Sequence, residues 1–207
     1  MALNRFLSTP PVVTNLVIVN VLFLMAERML PYGIGDKIVE HLALFNIGSP
    51  WFHSYQVVTY MFLHANFSHL FFNMFALWMF GRSLEYELGS KRFLIYYMVC
   101  GIGAALLQLL VGWLEGGPLN VPTVGASGAV FGLLLAFAML HPNDVIMLLF
   151  PPIALKAKYF VIIYGVIELL LGVSGSMDNV AHFAHLGGML WGFLLLLYWR
   201  KRGKIYY

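Results

Sequence analysis

Six long apolar runs, joined by short polar connections, take up most of this 207-residue chain. They fall at about 11–30, 67–84, 93–114, 125–141, 157–173 and 183–199. Each is long enough, at roughly 17 to 25 residues, to cross a hydrocarbon layer about 30 Å thick as a helix. With 61% of residues hydrophobic and only 10% charged, too few polar side chains exist to cover a water-facing surface. A soluble globule is excluded. In lipid every backbone N–H and C=O must find an internal partner, which leaves helices or a closed barrel. The runs lack the period-two alternation of barrel strands, so helices are expected.

Within the first run Met25 is followed by Glu27 and Arg28 and not by a small-residue cleavage site, so the run reads as a retained helix and not as a signal peptide. The single cysteine, Cys100, cannot form an internal disulfide and reads as a small packing residue. Net charge is +3, and the basic residues lie between the apolar runs and at the carboxyl end, a distribution that suits membrane orientation and not nucleic acid.

Cytoplasmic connections are enriched in Lys and Arg. With the amino terminus inside, the inner segments hold Arg5, then Arg82, Lys91 and Arg92, then Lys156 and Lys158, then Arg200, Lys201, Arg202 and Lys204. Of the 12 basic residues only Arg28 and Lys37 fall outside. The expected architecture is an all-α polytopic membrane protein, one domain over 1–207, with six transmembrane helices and both termini cytoplasmic.

The connection 31–66 contains Trp51, Phe52 and Tyr55, and reads as a segment resting in the membrane interface. The stretch HPNDVIMLLFPPIALKAK, from His141, leaves two readings open: an inner-face loop with an apolar dip, or a Pro-broken extension of the fourth helix.

Polar groups in lipid are costly, and their placement is informative. In this topology the second, fourth and sixth helices all begin at the outer face. His69 and Asn73 lie in the first turns of the second, Ser127 in the first turn of the fourth and His185 in the first turn of the sixth. Four polar side chains thus share one depth. His69 and Asn73 are four apart and point from one helical face; taken alone, they also fit simple interhelical hydrogen bonding. Ser127 beside Gly128 also fits plain close packing. Gly128 and Gly132, and likewise Gly188 and Gly192, are four apart and give each helix a smooth strip for close approach. A hydroxyl bonds an imidazole only at about 2.6 to 3.2 Å, so close approach is what a Ser/His pair requires.

The motifs HLFFN (69–73), GASG opening the fourth helix (125–128), and AHLGGMLWG (184–192), with ELGS (87–90) after the second helix, together resemble the rhomboid intramembrane serine proteases. The resemblance covers nearly the whole chain, in the right helix order, and is to the compact six-helix prokaryotic form. It implies a rhomboid-like fold in a prokaryotic cytoplasmic membrane, no cofactor, and transmembrane proteins as substrates. It also implies a dyad without a carboxylate, with Ser127 as nucleophile and His185 as general base. The oxyanion donors would be the backbone N–H of Ser127 and the side chains of His69 and Asn73, with Gly125, Gly128, Phe131, Gly188 and Gly192 in support. Two positions depart from the family pattern. Tyr55 and Gln56 stand where many members have Trp-Arg, which alters the anchoring of the first loop, and Phe131 stands where some have Tyr.

Several polar residues carry blander expectations. His182 shares much of the face of His185 but would put the glycines out of register, and reads as an outer-surface neighbour. His64 reads as structural, Asp178 as a solvated turn residue and Glu85 as a helix-end or loop-tethering residue. Glu168, the acidic residue deep in the fifth run, reads as an isolated, protonated interhelical hydrogen-bond donor. No carboxylate is expected beside His64/His69 or His182/His185, so no metal site is expected. The rival functions are an inactive rhomboid-like binder of transmembrane segments and a small transporter using Glu168. The fifth helix, between Pro152 and Gly172, is a candidate lateral gate.

Overall fold

The computed structural model describes residues 10–31, 33–117, 119–147, 152–174 and 181–203. Arg5, Asp178 and Lys204 lie outside them.

Helix α1 (Pro11–Met29) starts on a proline, whose missing N–H costs nothing in a first turn. Its next two amides, Val12 N–H and Val13 N–H, donate to the carboxylate of Glu85 at 3.0 and 2.8 Å, and Ser90 Oγ–H donates to the same group at 2.6 Å. Glu85 therefore caps α1 from a distant part of the chain, satisfying amides that a helix start leaves open. That gives physical content to its expected tethering role.

The first connection holds a short amphipathic helix, α2 (Ile34–Leu42), and a single turn, α3 (Gln56–Thr59), extended by a 3₁₀ turn (Tyr60–Phe62). Gln56 is fully buried and holds this loop together. Its amide donates to the carbonyls of His41 (3.1 Å) and Trp51 (2.8 Å), while its Oε1 accepts from the N–H groups of His53 (3.1 Å) and Phe45 (3.4 Å). A neutral amide, carrying both donors and an acceptor, thus provides the anchoring of this loop.

Helix α4 (Phe67–Ala76) begins at Asn66, whose side chain accepts from His69 N–H at 2.8 Å. It runs through a π-helical turn (Leu77–Gly81) into α5 (Arg82–Leu88). The second apolar run is therefore helical to Leu88, one turn beyond its expected end. Gly89, at φ +79°, permits the immediate turn into α6 (Ser90–Leu114).

The remaining helices are α7 (Ser127–Leu140), α8 (Ala157–Ser174) and α9 (His182–Lys201). Among the described residues of the ambiguous stretch after α7, no helical extension of α7 is seen. Val145–Met147 (β1) and Ala154–Lys156 (β2) pair as two short antiparallel strands. Asn143, Asp144 and the paired prolines Pro151 and Pro152 disfavour helix, and the pairing satisfies the backbone instead.

Helices α6, α7 and α9 pack as the central group, with α8 against α9 and α7 and with α1 against the α4–α5 segment. The centre of α6 is buried through Tyr96, Tyr97, Cys100 and Ala104, and Tyr96 donates its hydroxyl to the carbonyl of Gly132 on α7 at 2.8 Å. On α8 the buried residues are Ala157, Phe160, Val161 and Glu168. Its other apolar side chains, Ile162, Leu170 and Val173 among them, face outward, as suits a hydrocarbon surrounding. Among the described residues three helices, α1, α6 and α8, are long and apolar enough to cross a membrane, and α7 is a shorter apolar helix.

Candidate active site

Helix α7 begins at Ser127 because Gly125 and Ala126 turn the chain immediately before it. Gly125 sits at φ +128°, a conformation that L side chains rarely adopt, and its N–H donates to the Tyr60 carbonyl at 3.0 Å. A Cβ there would also come within 2.9 Å of His69 Nε2, and 3.7 Å from Ser127 Oγ. Glycine at 125 therefore keeps open the space between His69 and Ser127. The N–H of Ser127 belongs to the first turn of α7, where helix geometry supplies no acceptor. At 14 residues α7 is about 21 Å long, shorter than a hydrocarbon layer of about 30 Å.

Close approach of α7 and α9 depends on their glycines. A Cβ on Gly188 would collide with the backbone carbonyl of Gly128, and one on Gly132 would come within 3.1 Å of the Gly188 carbonyl oxygen; Gly132 and Gly192 also leave room for Cys100 and the Tyr96 hydroxyl of α6. With the backbones in contact, Ser127 Oγ lies 2.8 Å from His185 Nε2. The Phe131 ring stacks on the His185 imidazole, centroids 4.2 Å apart and planes 11° from parallel.

His69 takes the N–H of Ala65 on Nδ1 at 3.4 Å, which leaves the neutral ring's proton on Nε2, the edge facing Gly125. Asn73 is buried, and its amide donates to the His69 carbonyl one turn back at 3.0 Å. Its contact is thus to its own helix. A second hydrogen on the same amide is available chemically.

Two expectations are overturned on the other side of His185. Glu168 is not isolated: its Oε2 lies 2.9 Å from His185 Nδ1 and 2.7 Å from His182 Nδ1. His182 is not at the outer surface but is buried, at 6% exposure. The reason is the packing of α8, which turns its one buried acid onto the first turn of α9. Histidines three apart on that turn share a face and meet the same oxygen. The histidine pair of α9 therefore does have a carboxylate beside it. One ring nitrogen from each histidine and one Glu168 oxygen lie within 4.8 Å of one another, a set able to hold a metal ion. At 2.7 and 2.9 Å, however, the atoms stand at hydrogen-bond separation. Two ligands of a tetrahedral zinc ion, with bonds of about 2.0 Å, stand roughly 3.3 Å apart.

His64 lies outside the second helix, at 1% exposure, with its ring edge-on to His69 at a centroid distance of 5.0 Å. Burial, then the proximity of His69, lowers its pKa from 6.5 to about 4. The unfolded chain binds this proton near pH 6.5 and the folded chain only near 4, so the unfolded state holds more protons in between. Stability is therefore fully present above about pH 6.5 and falls, by roughly 3 kcal/mol in all, as the pH drops towards 4. Thermal unfolding in detergent at pH 7.5 and 4.5 reads this directly, with His64→Gln expected to flatten much of the drop. An equal drop in the variant would assign it elsewhere.

A family model described as "Rhomboid domain" matches residues 52–202, a range that includes every side chain of the Ser127 and His185 cluster. Rhomboid-like protein 11, chloroplastic, of Arabidopsis thaliana is 33% identical over 164 residues, covering 76% of this chain and 56% of that protein. YdcA of Bacillus subtilis is 32% identical over 153 residues, covering 73% of this chain and 70% of its own length. Rhomboid protease GluP of Bacillus subtilis is 31% identical over 144 residues, 67% of this chain and 25% of that protein. The chain thus spans about half the length of the plant relative and less of GluP.

Proposed function

The chain belongs to the rhomboid family of intramembrane serine proteases, and from that membership we propose that it is itself an intramembrane serine endopeptidase. The observation that carries this reading is the 2.8 Å contact between Ser127 Oγ and His185 Nε2 across two helices in backbone contact.

In this mechanism the Ser127 hydroxyl attacks the scissile carbonyl carbon as its proton passes to His185 Nε2. The carbonyl oxygen becomes an oxyanion, for which the Ser127 N–H, His69 Nε2–H and the Asn73 amide are the donors. His185 then gives the proton to the departing amine nitrogen as the C–N bond breaks, leaving an ester on Ser127. Water adds to that ester with His185 again as base, and the acid product leaves. Phe131 holds the imidazole plane by stacking.

The same reading takes six transmembrane spans, both termini in the cytoplasm, and a site near the outer face of a prokaryotic cytoplasmic membrane. Its substrates are transmembrane or membrane-adjacent segments of other proteins, single-span chains above all. A destabilised helix and a small residue at the cut suit the site, because a peptide bond inside an intact helix is not presented to a nucleophile. Helix α8 is the candidate gate for lateral entry.

A serine-directed fluorophosphonate applied to the purified protein in detergent tests the assignment. Label on Ser127, absent from a Ser127→Ala variant, is expected. Equal labelling of the two, or none in wild type under conditions where GluP labels, rejects the protease in favour of a non-cutting binder.

A further inference from the structure

We propose that Glu168 is a positioning residue for His185, so that the site works as a Ser127–His185–Glu168 relay in which His182 steadies the carboxylate. The inference rests on the protease reading above and adds to it an acid that the dyad lacks.

His185 can accept the Ser127 proton only if Nε2 carries a lone pair, which in a neutral imidazole puts the hydrogen on Nδ1. That N–H points into a buried region, at a residue only 8% exposed, and needs an acceptor there. Glu168 Oε2, 2.9 Å away, is that acceptor. The imidazole is then held at three points: Ser127 on one nitrogen, Glu168 on the other and Phe131 on its face. As positive charge develops on the ring during attack, the carboxylate stabilises it.

A lone carboxylate in this position would be expensive to ionise and free to rotate. His182 answers both difficulties. Its Nδ1, 2.7 Å from the same Oε2, supplies a second N–H donor and fixes which oxygen faces His185. The rings of His182 and His185 stand nearly perpendicular, at 89°, so both can aim a nitrogen at one oxygen.

The rival account is that Glu168 merely ties α8 to α9. The two roles separate in Glu168→Gln. The amide keeps the size and a hydrogen bond, so a tie survives. It also presents N–H donors to His185 Nδ1, favouring the tautomer that places hydrogen on Nε2 and blocks base catalysis. Expected for this variant is a fall in kcat of about 10²- to 10⁴-fold, with KM within about twofold of wild type and unfolding temperature nearly unchanged. Glu168→Asp, which keeps the charge, is expected to recover part of kcat. Wild-type kcat in Glu168→Gln, or a loss matched by a fall in unfolding temperature and not relieved by aspartate, overturns the proposal. Should Glu168→Gln not fold, nitrogen-15 spectra of histidine-labelled wild type decide: protonated Nδ1 and bare Nε2 on His185 are expected, and the reverse tautomer overturns it. Wild type that neither cuts nor labels at Ser127 defeats the protease reading itself. Wild type that labels while Glu168→Gln turns over normally defeats only the relay.

Discussion

A Ser127→Ala variant is expected to lose turnover by a factor of about 10⁴ or more while still binding substrate. Alanine removes the only atom able to form the acyl intermediate and leaves everything else in place. The backbone N–H at position 127, the glycine contact beneath it and the Phe131 stack on His185 all survive the change. Folding should therefore be nearly unaffected, with a cost of about 1 kcal/mol for the lost hydroxyl contact. His185→Ala should be comparably inactive, and the double variant little worse than either, because nucleophile and base act as one unit. Initial rates on a single-span substrate in liposomes, read beside unfolding temperature, check all three. Appreciable cleavage by Ser127→Ala would show that the chemistry lies elsewhere. Additive losses in the double variant would separate the two residues' roles.

The parts legible in the sequence were those governed by counting. The long helices lie within about a turn of the apolar runs, because a helix that must bury its own backbone in lipid cannot be interrupted cheaply, whereas the short helices α2 and α3 of the first connection left no such run. Glycines four apart on α7 and α9 announced a close crossing, since no other residue lets two backbones touch there. The expectation that His69, Asn73, Ser127 and His185 share one depth rested on the assumed topology alone. Glu168 escaped the same argument through a misjudged height. Helix α8 ends at Ser174, and six residues back from that end is about 9 Å, close to the level of the first turn of α9. Counted from that end, the acid belongs with the other four polar groups. Which way α8 faces, by contrast, depends on packing that no local pattern records. The pairing of Val145–Met147 with Ala154–Lys156 and the hydrogen bonds of Gln56 were likewise hidden. Both are solutions to backbone satisfaction inside a connection, settled by pairings that leave no periodic hydrophobic pattern.

The contact between α7 and α9 predicts the other large effect. Gly188→Ala should cost both fold and activity, because the added methyl would run into the Gly128 carbonyl oxygen, with the Gly128 carbonyl carbon at 2.6 Å and its Cα at 3.2 Å. These are backbone atoms of a helix, which cannot swing aside as a side-chain end can, so the two helices must separate. In lipid little hydrophobic force pulls them back together, since helix association there rests on close packing and hydrogen bonds. An overpacking cost of about 1 to 3 kcal/mol follows. His185 lies one turn from Gly188 and Ser127 lies beside Gly128, so the same separation stretches their 2.8 Å contact. A displacement of about 1 Å at reacting groups is enough to lower the rate roughly 10²-fold. Gly165→Ala on α8 is the matched control: its new methyl would meet the Met189 Cε at 3.2 Å, the free end of a flexible chain that can give way. That variant should keep turnover within about twofold and unfold within a few degrees of wild type. If both alanines behave alike, proximity of α7 and α9 is not what holds the nucleophile against its base. If only Gly188→Ala fails, and fails in rate by more than its loss of stability accounts for, the glycine strip is part of the catalytic geometry itself.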